Sequence, residues 1–458
     1  MTQERVTVMG LGHFGGGAGV TRWLAGRCGC RVLLTDLAPA DQLADSLESI
    51  RDLVDAGQVT LVLGRHEERD FRDTDLVVAN PAVPRPWENR FLNAARQASV
   101  PITTEIELLI SSLPRRDRFI GVTGTAGKST TSAMIHHVLR ACLGAAHLGG
   151  NIGGSLLRAE IGTEEWVVLE LSSAMLWWLG ASGTSHASAP LRKASALRLT
   201  KTDNWSPHIA VITNLSDNHA DWHGSLDHYR ASKQRLLAHQ KAGDHAILGP
   251  GLADWPTNQG VERTDIAADD PRLAGINLLI PGGHNRLNAL MAAEACRAAG
   301  VAFEQAVAAL ADFRGLRHRL ELVAKTEDGR RFYNDSKCTT PAAATLAVES
   351  FDDPARLHLI VGGYDKKADL APLAALGARV ARLYAIGAVG ERIHDLAPTG
   401  TCLHCRTLDV AVKSAMARMN AGDVLLLSPG CASWDQFTNF EQRGQRFTQL
   451  VRERLDAK

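Results

Sequence analysis

Residues 118–143 read RFIGVTGTAGKSTTSAMIHHVLRACL, and this stretch decides the fold. An apolar strand, RFIGVTG, runs into a small-residue loop with Gly124, Gly127, Lys128, Ser129 and Thr130. The loop opens a helix that carries Ile135, Val138, Leu139 and Cys142 on one side. Small residues between strand and helix let backbone N–H groups wrap phosphates, a lysine reach the β/γ oxygens and a hydroxyl hold Mg2+. The spacing is a shortened form of the usual pattern, because position 122 is Val rather than Gly. The stretch therefore reads as an ATP-type phosphate loop at the start of an α/β layer.

A second glycine loop lies upstream. Strand RVTVMG, ending at Gly10, leads through Gly12 and Gly15 into a helix spanning about residues 18–26, then into strand RVLLTD ending at Asp36. This is a dinucleotide-type fingerprint, in which a tight turn and a helix N-terminus meet a diphosphate and an acid some way on takes a hydroxyl. By itself it suits a NAD protein equally well. Downstream, four more strands end in polar chemistry. WVVLE ends at Glu170, HIAVITN at Asn214 ahead of His219 and Asp221, LHLIVGG ahead of Asp365 and Lys366, and DVLLLSP ahead of Ser433 and Asp435. Ligands of open α/β sheets sit beyond the carboxyl ends of strands, so this recurrence points to a composite crevice.

The 458 residues suggest about three domains. Lys plus Arg and Asp plus Glu both total 50, so no net field favours nucleic acid or an anionic membrane, and an anionic ligand must be held locally. The 41 glycines suit many strand-to-helix turns. An apolar strand from Val6 with no leader ahead of it, and apolar runs of strand length only, predict a cytoplasmic protein without membrane spans. Eight cysteines are too few for a disulfide framework, and neither Cys28 with Cys30 nor Cys402 with Cys405 has a second ligand pair, so both read as packing residues. Segment 181–206 is rich in Ser and Ala, carries Arg192, Lys193, Arg198 and Lys201, and reads as an inserted surface excursion.

Taken in order, TGTAGKST, LELSS, NLSDNHAD with YRASK, GGHNRLN, GLRHRLE, NDSKCTTP, GGYDKKAD and SPGCASWDQFTNFEQRG resemble the Mur ligases, the ATP-dependent amide ligases of peptidoglycan precursor synthesis. The likeness covers nearly the whole chain, and NDSKCTT with the last block is nearest the members that add D-glutamate. It implies an α/β fold of three domains: a Rossmann-like UDP-binding domain over 1–112, a central ATPase domain over 113–315, and a C-terminal Rossmann-like domain over 316–458. It also implies a monomer that joins D-glutamate to UDP-N-acetylmuramoyl-L-alanine through an acyl phosphate. A related amide ligase of other specificity, including the folylpolyglutamate type, is the alternative left open.

Roles implied by the resemblance are specific. Gly124, Thr125, Ala126, Gly127, Lys128, Ser129 and Thr130 hold ATP, with Asn285 and Arg319 around the adenine and phosphates and Asp335 at the ribose. Ser129, Glu170, His219 and Lys233 hold two Mg2+ ions, for which Mn2+ can stand in, and Lys233 does so as a carbamate formed with CO2. Read without the family, Lys233 is an ordinary surface lysine. Gly12, His13, Phe14, Gly15, Thr35, Asp36, Asn80, Asn151 and Asn288 take the UDP substrate, and His318 stands near the reacting carboxyl. Lys337, Thr339, Lys366, Ser433 and Phe440 receive D-glutamate, where two ammonium groups and a hydroxyl suit two carboxylates. The chain departs from the family at Ala126 (usually Asn or Thr), at Asn218 (usually Asp), at Asn80-Pro81-Ala82 (usually Ser-Pro-Gly) and at Leu37, where an Arg can stand. It also diverges after Ser173, where Trp177 and Trp178 lead into the insertion.

Overall fold

The computed structural model describes residues 4–12, 15–27, 29–113, 115, 117–179, 204–216 and 220–456. His13, Phe14, Asn218, His219 and nearly all of segment 181–206 lie outside these described residues.

The sequence folds into three sheets, in keeping with the α/β class. The first has β1 (Arg5–Met9), β2 (Arg31–Asp36), β3 (Val59–Leu63), β4 (Leu76–Ala79) and β5 (Ile102–Thr103), in the order β3-β2-β1-β4-β5. The second has β6 (Phe119–Thr123), β7 (Ala146–Gly150), β8 (Trp166–Glu170), β9 (Ile209–Ile212), β10 (His245–Leu248) and β11 (Glu262–Asp265), in the order β11-β10-β9-β6-β8-β7. Both are parallel throughout. Their central strands are apolar at nearly every position because helices cover both faces of such a sheet.

The third sheet has β12 (Glu321–Lys325), β13 (Arg331–Asn334), β14 (Leu357–Gly362), β15 (Arg382–Ile386), β16 (Cys402–Arg406) and β17 (Val424–Leu427), in the order β12-β13-β17-β14-β15-β16. It is parallel except for the β12–β13 pair at its edge.

The chain forms two compact units, one of Met1–Pro271 with Asn288–Val307 and the other of Arg272–Leu287 with Ala308–Lys458. The first two sheets share the first unit because a single apolar cluster runs through both, from Val6 and Leu34 to Leu169, Ile212 and Trp255. Within that unit the seam also holds aromatic rings. Trp87, in the loop after β4, packs 5.3 Å from Trp177 and 5.6 Å from Trp222. The divergent stretch Ser173–Leu179 is thus buried wall rather than exposed surface.

Cys30, Cys402 and Cys405 are buried free thiols, as packing residues should be, while Cys28 lies outside the described residues. No described helix is long and apolar enough to cross a membrane.

Candidate active site

In the first unit β6 is flanked by β9 and β8, so the phosphate loop, Asn214 and Glu170 emerge side by side at the carboxyl ends of neighbouring strands. The helix Lys128–Leu143 starts directly from the loop and aims its free N–H groups at it. Asn214 grips the loop from the next strand: its Oδ1 accepts from the Ala126 N–H at 2.9 Å and its Nδ2 donates to the Ala126 carbonyl at 3.1 Å. The contacts run through the Ala126 backbone, so they ask nothing of its side chain.

Gly124 lies at φ +145°, and a Cβ there would stand 1.9 Å from Thr213 Oγ1. Gly127 is left-handed at φ +82°, with the Asn288 amide oxygen 2.4 Å from where its Cβ would be. Asn288, assigned by resemblance to the UDP substrate, therefore stands at the phosphate loop. Gly124→Ala combines backbone strain with a clash and is expected to destabilise the protein by about 1–3 kcal/mol while weakening ATP binding, as thermal unfolding with and without nucleotide would show.

Lys128 Nζ donates to the carbonyls of Gly124 at 3.0 Å and Thr125 at 2.9 Å. Lys233 is the main surprise of the site, being only 1% exposed. On its helix, Leu226–Ala238, it lies in the stripe of Tyr229, Ser232, Lys233, Leu236 and Leu237 that faces inward. Its ammonium donates to the Gly124 carbonyl at 2.8 Å and sits 4.5 Å from the centre of the Tyr229 ring. Burial, aided by the Lys128 charge, pulls its pKa down to about 7.

Glu170 is 1% exposed. One carboxylate oxygen accepts from Asn151 Nδ2 at 2.8 Å, whereas Oε2 is buried without any donor. A buried anionic oxygen left unpaired is costly, and a divalent cation satisfies it. No three described His, Cys, Asp or Glu side chains converge on one point. The unpaired Glu170 oxygen suits Mg2+, which binds through one or two protein groups and completes its shell with phosphates and water. Ser129 lies half-buried in the first turn of the loop helix, on the same crest.

At the crest of the first sheet the order reverses between β1 and β4, and Asn80 meets the glycine loop there, its side chain 3.1 Å from where a Cβ on Gly10 would be. Asn80 Oδ1 also accepts from the Ala82 N–H at 2.9 Å, so Asn80-Pro81-Ala82 closes its own turn. Two expectations change here. Thr35 is fully buried, and its hydroxyl is committed to the Arg65 carbonyl and His66. Asp36 does not point into open space for a hydroxyl; it accepts from the N–H groups of Leu11 at 2.8 Å and Gly12 at 3.2 Å. The carboxylate thus ties the end of β2 to the glycine loop. Leu37 is exposed.

In the second unit the loops after β13, β17 and β14 carry Asp335, Lys337, Thr339, Ser433 and Lys366, while His318 and Arg319 precede β12. Asp335 follows β13 and is 6% exposed. It accepts from Ser428 Oγ at 2.8 Å and the Leu320 N–H at 3.2 Å, and burial raises its pKa to about 6. Arg319 is exposed and near enough to oppose that rise. His318 and Leu320 have φ of +62° and +42°, a turn strained in two places. His318 is held by Asn334 Nδ2 at 2.9 Å, and its ring lies 6.1 Å from Phe440; burial lowers its pKa.

Lys337 Nζ lies 5.6 Å from the centre of the Phe440 ring, and Lys366 Nζ 4.6 Å from that of Trp434, the neighbour of the buried Ser433. Thr339 is half-buried in the loop that begins with Asp335, and Asn285 Nδ2 donates to the Pro281 carbonyl at 2.5 Å. A cavity of about 400 Å³ in this unit is lined by Leu279, Arg331, Tyr333 and Val424, so it opens at the other end of β13 and β17. Sequence reasoning missed Tyr229 and Arg443. Both sit in apolar helical stripes, and a polar or charged residue within such a stripe is the signal that could have found them.

Comparison with known proteins agrees with this arrangement. The sequence matches the Mur ligase middle domain over residues 122–256 and the Mur ligase, glutamate ligase domain over residues 318–431. It is 34% identical to the UDP-N-acetylmuramoylalanine–D-glutamate ligase of Acidobacterium capsulatum, over 98% of this chain and 96% of that protein. It is 33% identical to the ligase of the same name from Koribacter versatilis, over 98% and 97%. The fold resembles that of the crystal structure of UDP-N-acetylmuramate-alanine ligase MurC from Thermotoga maritima, with a TM-score of 0.55, 19% identity and 100% of both chains covered. A phosphate loop clasped by Asn214, a buried lysine and carboxylate beside it, and relatives alike from end to end place the chain in the Mur ligase family.

Proposed function

We propose that the chain joins D-glutamate to the L-alanyl carboxylate of UDP-N-acetylmuramoyl-L-alanine, with cleavage of ATP to ADP and phosphate, in cytoplasmic peptidoglycan precursor synthesis. One observation carries this reading: Lys337 lies against the Phe440 ring, in a loop after β13 next to the loop after β17 that carries Ser433, in a chain related along nearly its whole length to D-glutamate ligases. On this reading the domain limits lie near 112 and 315.

The chemistry sets the roles. A carboxylate acylates poorly, so its oxygen attacks the γ-phosphorus, the bond to ADP breaks, and an acyl phosphate forms. The amine of D-glutamate then attacks the acyl carbon, phosphate leaves, and the amine proton is lost to give the amide. Repulsion between anions opposes the first step, and fixed cations lower it. Lys128 and the N–H groups of Gly124 to Thr130 hold the triphosphate, while Asn285, Arg319 and Asp335 take the adenosine. Glu170, Ser129, His219 and Lys233 as its carbamate would hold Mg2+, which neutralises charge between the phosphates when bound. Asn151 orients Glu170, while Asn288 supports the loop. Gly12, Gly15 and Asn80 serve the UDP end, and His318 stands by the reacting carboxyl. Lys337, Thr339, Lys366, Ser433 and Phe440 receive D-glutamate.

A test of the acyl phosphate is isotopic. With heavy oxygen in the L-alanyl carboxylate, one labelled oxygen should appear in the released phosphate; unlabelled phosphate would refute the route. Carbamylation carries its own prediction. CO2 is attacked only by the unprotonated amine, and Lys233 loses its proton around pH 7. The fraction bearing one added CO2, read by native mass spectrometry in bicarbonate buffer, should rise as pH increases through about 7.

A further inference from the structure

Arg443 is a guanidinium with 1% exposure, set on the inward stripe of Arg443, Phe447, Leu450 and Val451 in the helix Phe440–Asp456. Its Nε donates to Ser336 Oγ at 3.0 Å and its Nη2 to the Ser336 carbonyl at 2.9 Å. Its Nη1 reaches the carbonyls of Cys431 at 3.0 Å and Ala432 at 3.2 Å. Among the described residues no carboxylate pairs with it, although burying a lone charge is costly and an apolar side chain would fill the stripe. Burial lowers its pKa to about 10, leaving it charged at neutral pH.

The groups it holds are neighbours of those assigned to the amino acid. Ser336 precedes Lys337 in the loop that contains Thr339, and Cys431 and Ala432 precede Ser433. Ser336 Oγ passes the link on by donating to the Phe440 carbonyl at 2.8 Å, and the Ala432 carbonyl also accepts from the Tyr364 N–H at 2.9 Å, at the head of the loop that carries Lys366. Only a planar fork of fixed N–H groups bridges acceptors in two loops at once; lysine keeps the charge but not that geometry.

We propose that Arg443 is a positioning residue for the amino acid substrate, its buried fork fixing the loops of Lys337 and Ser433 relative to one another. This rests on the reading of those loops as the amino-acid site. The test uses the full chain and steady-state phosphate release, varying ATP, the UDP substrate and the amino acid in turn for wild type, R443K, R443M and the milder S336A.

Both Arg443 variants should raise KM for the amino acid on the order of tenfold, with S336A in the same direction and KM for ATP within about twofold. A wild-type amino acid KM in R443K, or a parallel rise in all three KM values, overturns the proposal. If the Arg443 variants do not fold, S336A decides by the same ratio. Wild type is assayed first with D- and L-glutamate and other amino acids. A different preferred amino acid would refute the D-glutamate reading alone, and the Arg443 ratios would then be read on that amino acid.

Discussion

Lys128→Ala lowers ATP-dependent phosphate release on the order of a thousandfold or more. Lys128 stands at the first position of the loop helix, with its ammonium among the loop carbonyls of Gly124 and Thr125. A γ-phosphate brings several negative charges to this point, and a carboxylate must then approach it. Removing the one side-chain cation of the loop loses several kcal/mol of charge stabilisation that backbone N–H groups supply only in part. The fold should survive, because Lys128 is only half-buried. An unchanged melting temperature with near-normal phosphate release would remove the phosphate-loop assignment.

Lys233→Ala should abolish turnover. Its ammonium is buried between the loop and Tyr229 with no acidic hydrogen-bond partner among the described residues, an expensive arrangement for a residue with only a packing role. An amine about half deprotonated at pH 7 is instead a nucleophile for CO2, and the product is an anion suited to a cation beside Glu170. Short carboxylic acids should therefore restore part of the activity of the Ala variant, and bicarbonate should not, because no amine remains to react. Near-normal turnover in Lys233→Ala would contradict the assigned metal ligands. Activity restored equally by a neutral amide of the same size would show that the cavity, not the charge, matters.

Much of this was legible in the sequence because it rests on local patterning. A strand, a glycine loop and a helix in succession locate the phosphate site, and strands that end at Glu170, at Asn214 and ahead of Ser433 place polar groups at sheet crests. Less was legible where the side chain's partner is distant in sequence. Asp36 reads as a hydroxyl acceptor, yet the N–H groups of Leu11 and Gly12 claim it, and that depends on how β1 and β2 lie together. Thr35 likewise turns inward by strand alternation, since its neighbour Asp36 faces the crest. Lys233 and Arg443 are charged residues in apolar stripes, which sequence reading assigns to the surface unless the helical period is followed residue by residue. The three sheets were foreseen, but not that the first two would share one apolar cluster within a single compact unit.

The most direct measurement is phosphate release from ATP and Mg2+ with UDP-N-acetylmuramoyl-L-alanine and D-glutamate, leaving out each component in turn and identifying the product by mass. Release that needs every component and yields one new amide is the predicted result. Release supported by another amino acid but not by D-glutamate, or no release with any, would contradict it.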